Sequence, residues 1–420
     1  MISPPPPSSE IRRIAFLTAL VAALVFASYC WWTYGGKPGA DVLPLWAAAK
    51  LWAAGMSEAI YAADTSVFTL NGPPAFGPVA EAEGYRAEIY PFIYPPIWAA
   101  LMAPLTGLMD LARFDAYLTL VNASALVMGL WLIWRAAPLL PFTTYLAAGF
   151  LMLLVTTVGL LPVMGNQVQI FVAFLLALTM ERSRNGGDVA AGAALGLAAA
   201  LKLYPALFVV LFFATRQPRA VLAFVVVGGT LGLGSLAVAG WPLHADLLSQ
   251  LRAIGRTVFQ INLSMNLDAL WAIVSGATGT EVAPGRIAIE KPALWSTVSR
   301  TSLIAFLALY ALAGRQWPAI ADHPLYWPTA ILGAALLGPL SWAFHYITPI
   351  AAAPLLLALR PPRTALLVLV LVALCLSFLP LTLPFSMPFD APPLQLLGTL
   401  ALIGLFAAFL IEVLGARSAD

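Results

Sequence analysis

The chain has 420 residues, 61% of them hydrophobic and 10% charged, with a mean hydropathy of +0.90. So much apolar surface excludes a soluble globular fold and implies a polytopic helical membrane protein. The net charge of +2 is too small for a nucleic-acid partner, and the two cysteines, Cys30 and Cys375, read as apolar packing residues rather than a disulfide framework.

After a Pro-rich start (PPPPSSE), Arg12 and Arg13 precede an apolar run of about twenty residues that ends in Tyr29, Trp31, Trp32 and Tyr34. The run is long and lacks a small-residue cleavage site, so it reads as a retained first span, about 14–34, with an aromatic belt. The stretch GGKPGADVLPLWAAAKLWAAG (35–55) follows and sets Asp41 a few residues beyond the span. Trp46, Lys50 and Trp52 among small apolar residues suggest a helix lying in the bilayer surface. Asp41 has two readings there. It can serve as a base for a substrate arriving in the membrane plane, or it can simply cap that helix.

Cytoplasmic loops hold an excess of arginine, and this rule chooses between span assignments. A first outside segment covers about 35–115. Within it, Phe92 to Met109 is apolar but short and interrupted by Pro95, Pro96 and Pro104. Were it to cross, Arg135, Arg182 and Arg184 would fall outside, so it reads as re-entrant or interfacial. Spans then follow at about 116–134, 139–161, 167–181, 188–201, 204–215 and 219–239. A second outside segment takes 240–297. Further spans run at about 298–314, 324–341, 345–359, 364–380 and, after a Pro-rich loop, 396–414. The expectation is an all-α membrane protein with about twelve spans, both termini inside, and one domain over 1–420. No half-length repeat is legible, which weakens a transporter built from inverted repeats.

In this topology the unusual polar residues collect on the outer face. Lys202, alone in AAALKLYPAL, must meet water, an acid or a phosphate, or else snorkel to the interface; Pro205 then breaks the helix beside it. Asn166 and Gln167 form a tight turn and could merely cap the next span. Asn262 and Ser264 lie in the second outside segment. His345 and Tyr346 begin a late span, where an aromatic belt accounts for Tyr346 better than for His345. The three histidines, His244, His323 and His345, are far apart, so no metal set is legible and no cofactor is called for. The inside loops are too short for a Gly-rich phosphate loop, which points to a donor already in the membrane.

Several stretches together resemble one family. They are ADVLPLWAAAKLWAAG around Asp41 and Lys50 with Ile60 and Tyr61, YPP at Tyr94 to Pro96, and GNQVQ at Gly165 to Gln169. The set continues with AAGAALGLAAALKLYPAL around Lys202, NLS at Asn262 to Ser264, and FHY at Phe344 to Tyr346. It resembles the bacterial family-87 glycosyltransferases of the GT-C class, integral membrane enzymes that use a polyprenyl-phosphate sugar, typically mannose. The resemblance covers most of the chain, and the order and spacing of the motifs are more specific than any one of them. It implies Asp41 as the catalytic base, with Lys202 and His345 near the donor phosphate. It implies substrate-binding candidates at Tyr346, Asn166, Gln167, Gln169, Tyr94, Asn262, Ser264 and Lys50. The partners implied are a polyprenyl-phosphate sugar and a lipid or glycan acceptor, met at the periplasmic face of a bacterial inner membrane. Two departures bear on donor and acceptor identity: Gln169 stands where the family pattern leads one to expect Asn, and NLS where it leads one to expect NQS.

Two rival readings stay open on sequence alone. A lipid-linked sugar flippase would place charged residues at mid-bilayer, whereas here they gather at one face. A surface-polysaccharide polymerase or ligase would use outside arginines and a histidine, for which Arg252, Arg256 and His244 are available.

Overall fold

The computed structural model describes residues 7–61, 67–283, 286–377 and 392–419. The Pro-rich loop after 380 lies outside them.

Helix α1 (Ser9–Tyr34) shows how the apolar sequence sorts itself. Ala15, Ala19, Ala23, Ala27 and Cys30 recur nearly every fourth residue and are buried, while Leu17, Val21, Leu24 and Val25 point outward. Small residues inside and large ones outside is the pattern of a helix in lipid, where close backbone approach takes the place of a hydrophobic drive. The stripe packs on α5 (Leu111–Ala136), whose N-terminus is capped by Asp110 accepting from Arg113 N–H at 2.8 Å.

Between them lies α2 (Leu43–Ala53), and here the structure departs from expectation. The helix is covered by protein instead of lying open: Leu43 through Ala49 are all buried and Trp46 is 1% exposed. It is roofed by α3 (Phe76–Ala82) and by α4 (Ile97–Met102), which continues as a 3-10 turn to Gly107. These eleven residues of α4 and its extension reach roughly half the ~30 Å of a bilayer core. Trp98 in α4 donates to the Ala200 carbonyl at 2.7 Å, tying this segment to the end of α9.

Helices occupy each of the remaining predicted spans within the described residues. They are α6 (Phe142–Leu154), α7 (Thr157–Met164), α8 (Gln169–Arg184), α9 (Asp188–Leu201), α10 (Val209–Ala214) and α11 (Pro218–Arg256). After a loop region come α12 (Leu267–Val274), α13 (Ala293–Gln316), α14 (Pro318–Ala321) and α15 (Tyr326–Leu337). The last are α16 (Ile347–Ala352), α17 (Leu356–Leu359), α18 (Pro362–Leu376) and α19 (Pro392–Gly415). Five of them, α1, α5, α11, α13 and α19, are long and apolar enough to cross a membrane alone. The others are shorter; the predicted span 139–161, for example, is two helices broken at Thr156.

Residues 240–297 are also not a plain loop. Gly240, at φ 72°, kinks α11 and lets it run on to Arg256. Three short strands follow, β1 (Thr257–Gln260), β2 (Thr280–Ala283) and β3 (Arg286–Glu290), in an antiparallel sheet of order β1-β3-β2. The chain is predominantly helical, consistent with the all-α expectation, with this one small sheet among the described residues that the expectation did not include. Alternation in TVFQ and RIAIE seats Val258 and Phe259 of β1 and Ala288 and Ile289 of β3 in two small cores. A buried ion pair, Lys291 to Asp268 at 2.6 Å, joins the strand end to α12.

Helices α9 and α11 approach each other closely. A Cβ at Gly192 would sit 2.0 Å from the Ala220 carbonyl oxygen. Because that atom is backbone, nothing can yield locally. Gly192→Val is expected to abolish recovery of monodisperse protein in detergent, read by size-exclusion chromatography against wild type. A wild-type elution profile would mean that the helices can part freely.

Candidate functional site

Asp41 sits in the turn before α2, and α2 has no side-chain cap: its N-cap position is Val42. The helix-cap reading of Asp41 thus falls. What holds the turn is a backbone contact across the molecule. Asp41 N–H donates to the Gly165 carbonyl at 3.3 Å, and a Cβ at Gly39 would lie 2.5 Å from Gly165 carbonyl atoms. Two glycines that leave no room between them clamp the turn before α2 onto the GNQ turn.

The GNQ turn is itself built on α5. Asn166 adopts φ 53°, a left-handed conformation that Asn tolerates better than most residues. Its amide donates to Asp115 Oδ1 at 2.8 Å and to Thr119 Oγ1 at 2.6 Å, and its oxygen accepts from Asn122 Nδ2 at 3.2 Å. Asp115, Thr119 and Asn122 recur at helical spacing and so share one face of α5. Asp115 Oδ1 also accepts from Gly39 N–H at 3.1 Å. These side chains are all buried.

Next in the turn, Gln167 points its amide oxygen at three donors. Tyr94 O–H lies at 3.1 Å, Lys202 Nζ at 3.3 Å and Gln169 N–H at 3.4 Å. Lys202 follows the last residue of α9, where Pro205 prevents the helix from continuing regularly. Its ammonium lies over the rings of Tyr94 and Phe344, at 5.6 and 5.0 Å from their centroids. Gln169 Nε2 donates to Tyr204 O–H at 2.6 Å, and Tyr204 meets the His345 ring edge-on at 5.4 Å. His345 Nδ1 lies 3.0 Å from Trp342 N–H and 3.3 Å from the Trp342 carbonyl, which fixes the ring against the start of its own turn.

Asp41, Tyr94, Gln167, Lys202, Tyr204 and His345 line one cavity of about 530 Å³. Its wall has two further parts. Leu203, Leu207 and Leu303 come from the helical side, and Phe68, Tyr90 and Arg286 from the segment before α4 and from β3. Burial pushes the Asp41 carboxyl up to about 6, against the opposing pull of the Lys202 charge. A carboxylate so raised and a half-buried cation in reach of its field can accept a proton and hold a departing anion in one space.

The remaining candidates support this wall or lie elsewhere. Asn166 is held on the polar face of α5, and Gln169 donates to Tyr204. Tyr346 is buried and donates to the Met265 carbonyl, while Asn262 and Ser264 are buried in the segment before α12. Lys50 lies off the cavity: it pairs with Glu83 at 3.4 Å, the acid that also accepts from Trp46 Nε1 at 2.8 Å. Sequence reasoning missed Asp115 and Arg286. The first could have been found from its Thr119 and Asn122 companions at i+4 and i+7. Arg286, held by Glu88 at 2.5 Å, carried no comparable signal.

The chain is 26% identical over 291 residues to a polyprenol-phosphate-mannose-dependent alpha-(1-2)-phosphatidylinositol mannoside mannosyltransferase of Mycobacterium tuberculosis (strain ATCC 25618 / H37Rv), covering 66% of this chain and 64% of that relative. The chain thus spans a little under two thirds of the relative's length. A family profile matches residues 92–337, which include Asp115, Gln167 and Lys202 and leave Asp41 and His345 on either side. That match takes in more than half of the chain, and the protein belongs to glycosyltransferase family 87.

Proposed function

We propose that this membrane glycosyltransferase moves a sugar, mannose first, from a polyprenyl-phosphate donor to a hydroxyl of a lipid or glycan acceptor at the outer face of the plasma membrane. The observation that carries the reading is the presence of Asp41 and Lys202 on the wall of one cavity with both apolar and polar parts. In the reaction, the acceptor oxygen bonds to the anomeric carbon as the bond from that carbon to the phosphate oxygen breaks. The acceptor proton passes to Asp41, and polyprenyl phosphate departs with the electron pair. Direct displacement inverts the anomeric centre. A phosphate needs no general acid to leave, so one base and a cation suffice, unlike the two carboxylates of a glycosidase. Lys202, with the Tyr94 and Gln167 contacts that hold it, faces the developing phosphate charge. Leu203, Leu207 and Leu303 suit the first isoprene units of the donor.

The outward orientation is supported by charge. Arg135 pairs with the buried Glu181 at 2.9 Å, and Arg184 donates to the Ala136 and Asp322 carbonyls, both at 2.7 Å. Arg135 and Asp115 lie at opposite ends of α5, about 30 Å apart at 1.5 Å per residue. An arginine-rich end opposite the cavity is the cytoplasmic one by the positive-inside rule. The test is transfer by purified protein in detergent from short-chain polyprenyl phosphate [³H]mannose to a lipid-extract acceptor pool. Labelled glycolipid is expected; label that stays wholly with the donor would remove this donor.

A further inference from the structure

We infer that Asp115 is a positioning residue for transfer: through the Gly39 backbone and Asn166 it sets where the Asp41 carboxylate stands in the cavity. The inference rests on the reading of Asp41 as the base. Asp41 has no cap to hold it, and its turn is fastened at two points. One is its own N–H on Gly165 at 3.3 Å. The other is Gly39 N–H on Asp115 Oδ1 at 3.1 Å, two residues earlier. The two fastenings meet in a single side chain, because Asp115 also receives the Asn166 amide, at 2.8 Å on Oδ1 and 3.1 Å on its backbone carbonyl. Asp115 thus touches both turns that face each other across the Gly39–Gly165 contact. It is 1% exposed, does not line the cavity and sits on the long helix α5. A group so placed has no access to substrate, and its means of acting is to hold the base. A base displaced by about 1 Å loses on the order of a hundredfold in rate, because the reacting atoms no longer meet at bonding distance.

The work falls to Oδ1, since Oδ2 has no hydrogen-bond partner among the described residues. Asparagine can keep an oxygen at the Oδ1 position, whereas alanine removes the acceptor altogether. The experiment measures kcat, the donor KM and detergent thermal stability for wild type, Asp115→Ala, Asp115→Asn and Asn166→Gly. The last variant deletes the Asn166 clamp and keeps a residue that accepts φ 53°. Expected is a fall in kcat of about a hundredfold for Asp115→Ala and Asn166→Gly, with donor KM within about threefold, and recovery of most of the loss in Asp115→Asn. Wild-type kcat in Asp115→Ala or Asn166→Gly would overturn the inference. So would losses of stability and donor KM that match the loss of kcat and that asparagine does not relieve. If Asp115→Ala does not fold, Asn166→Gly against Asp115→Asn decides. Absence of transfer in the wild type would instead overturn the donor reading, and this inference with it.

Discussion

Asp41→Asn is expected to lower kcat by at least about a thousandfold while donor binding stays within about threefold. Asparagine keeps the size and planarity of the carboxylate but cannot take the acceptor proton, so the loss falls on the chemical step. The turn itself should survive, because it is fastened by the Asp41 backbone N–H and by Gly39, not by the Asp41 side chain. The pH profile supplies a second readout. Burial raises the Asp41 carboxyl to about 6, and only its ionised form can act as a base. Wild-type activity should therefore fall as pH drops through about 6, rather than near the ordinary carboxylate range around 4. Label transfer across pH 5 to 8 measures this, with binding of polyprenyl phosphate followed in parallel. Transfer by Asp41→Asn at the wild-type rate would make Asp41 a structural residue and place the base elsewhere.

The fold was legible in the sequence where one rule acts alone. Long apolar runs without charge become helices because a buried or lipid-facing backbone must satisfy itself, and each predicted span within the described residues holds helix. Lys202 was legible because a lone cation in an apolar run has few places to go. The failures came where one pattern serves two environments. Tryptophan and lysine among alanines fit an interfacial helix, and they fit equally a buried helix whose lysine meets a distant acid. Only the approach of Glu83 to Lys50 and Trp46, from a segment some thirty residues later, tells the two apart. The sheet was missed because its strands are only four or five residues long and two of them pair across intervening helix and turn. Asp115 was passed over because the expected boundary left it as the last residue of the outside segment, cut off from the span at 116–134, although the helix begins at Leu111. The spacing of its polar residues held the information: Asp115, Thr119 and Asn122 face one way. The two glycines that bring Asp41 to the GNQ turn are 126 residues apart, and no local rule pairs Gly39 with Gly165.

Lys202→Met is expected to reduce transfer by about a hundred- to a thousandfold, the range for loss of a fixed charge facing a developing anion. Methionine keeps an unbranched apolar chain between the Tyr94 and Phe344 rings, so packing is largely preserved and the charge is what goes. Unlike Asp41→Asn, this change should also weaken donor binding, since the ground-state donor already carries a phosphate charge. A distinct consequence follows at Asp41. The Lys202 cation opposes burial there and favours the ionised carboxyl. Without it the neutral acid gains, the Asp41 carboxyl titrates higher, and the acid limb of the residual activity moves to higher pH. Lys202→Arg restores the charge and should return the limb toward its wild-type position, though the guanidinium cannot reproduce the single contact to Gln167 Oε1 at 3.3 Å. A Lys202→Met enzyme with normal kcat and an unmoved acid limb would mean that Lys202 only snorkels to the membrane surface. A slow enzyme with an unmoved limb would separate the two roles, leaving Lys202 with the phosphate and outside the field that sets Asp41.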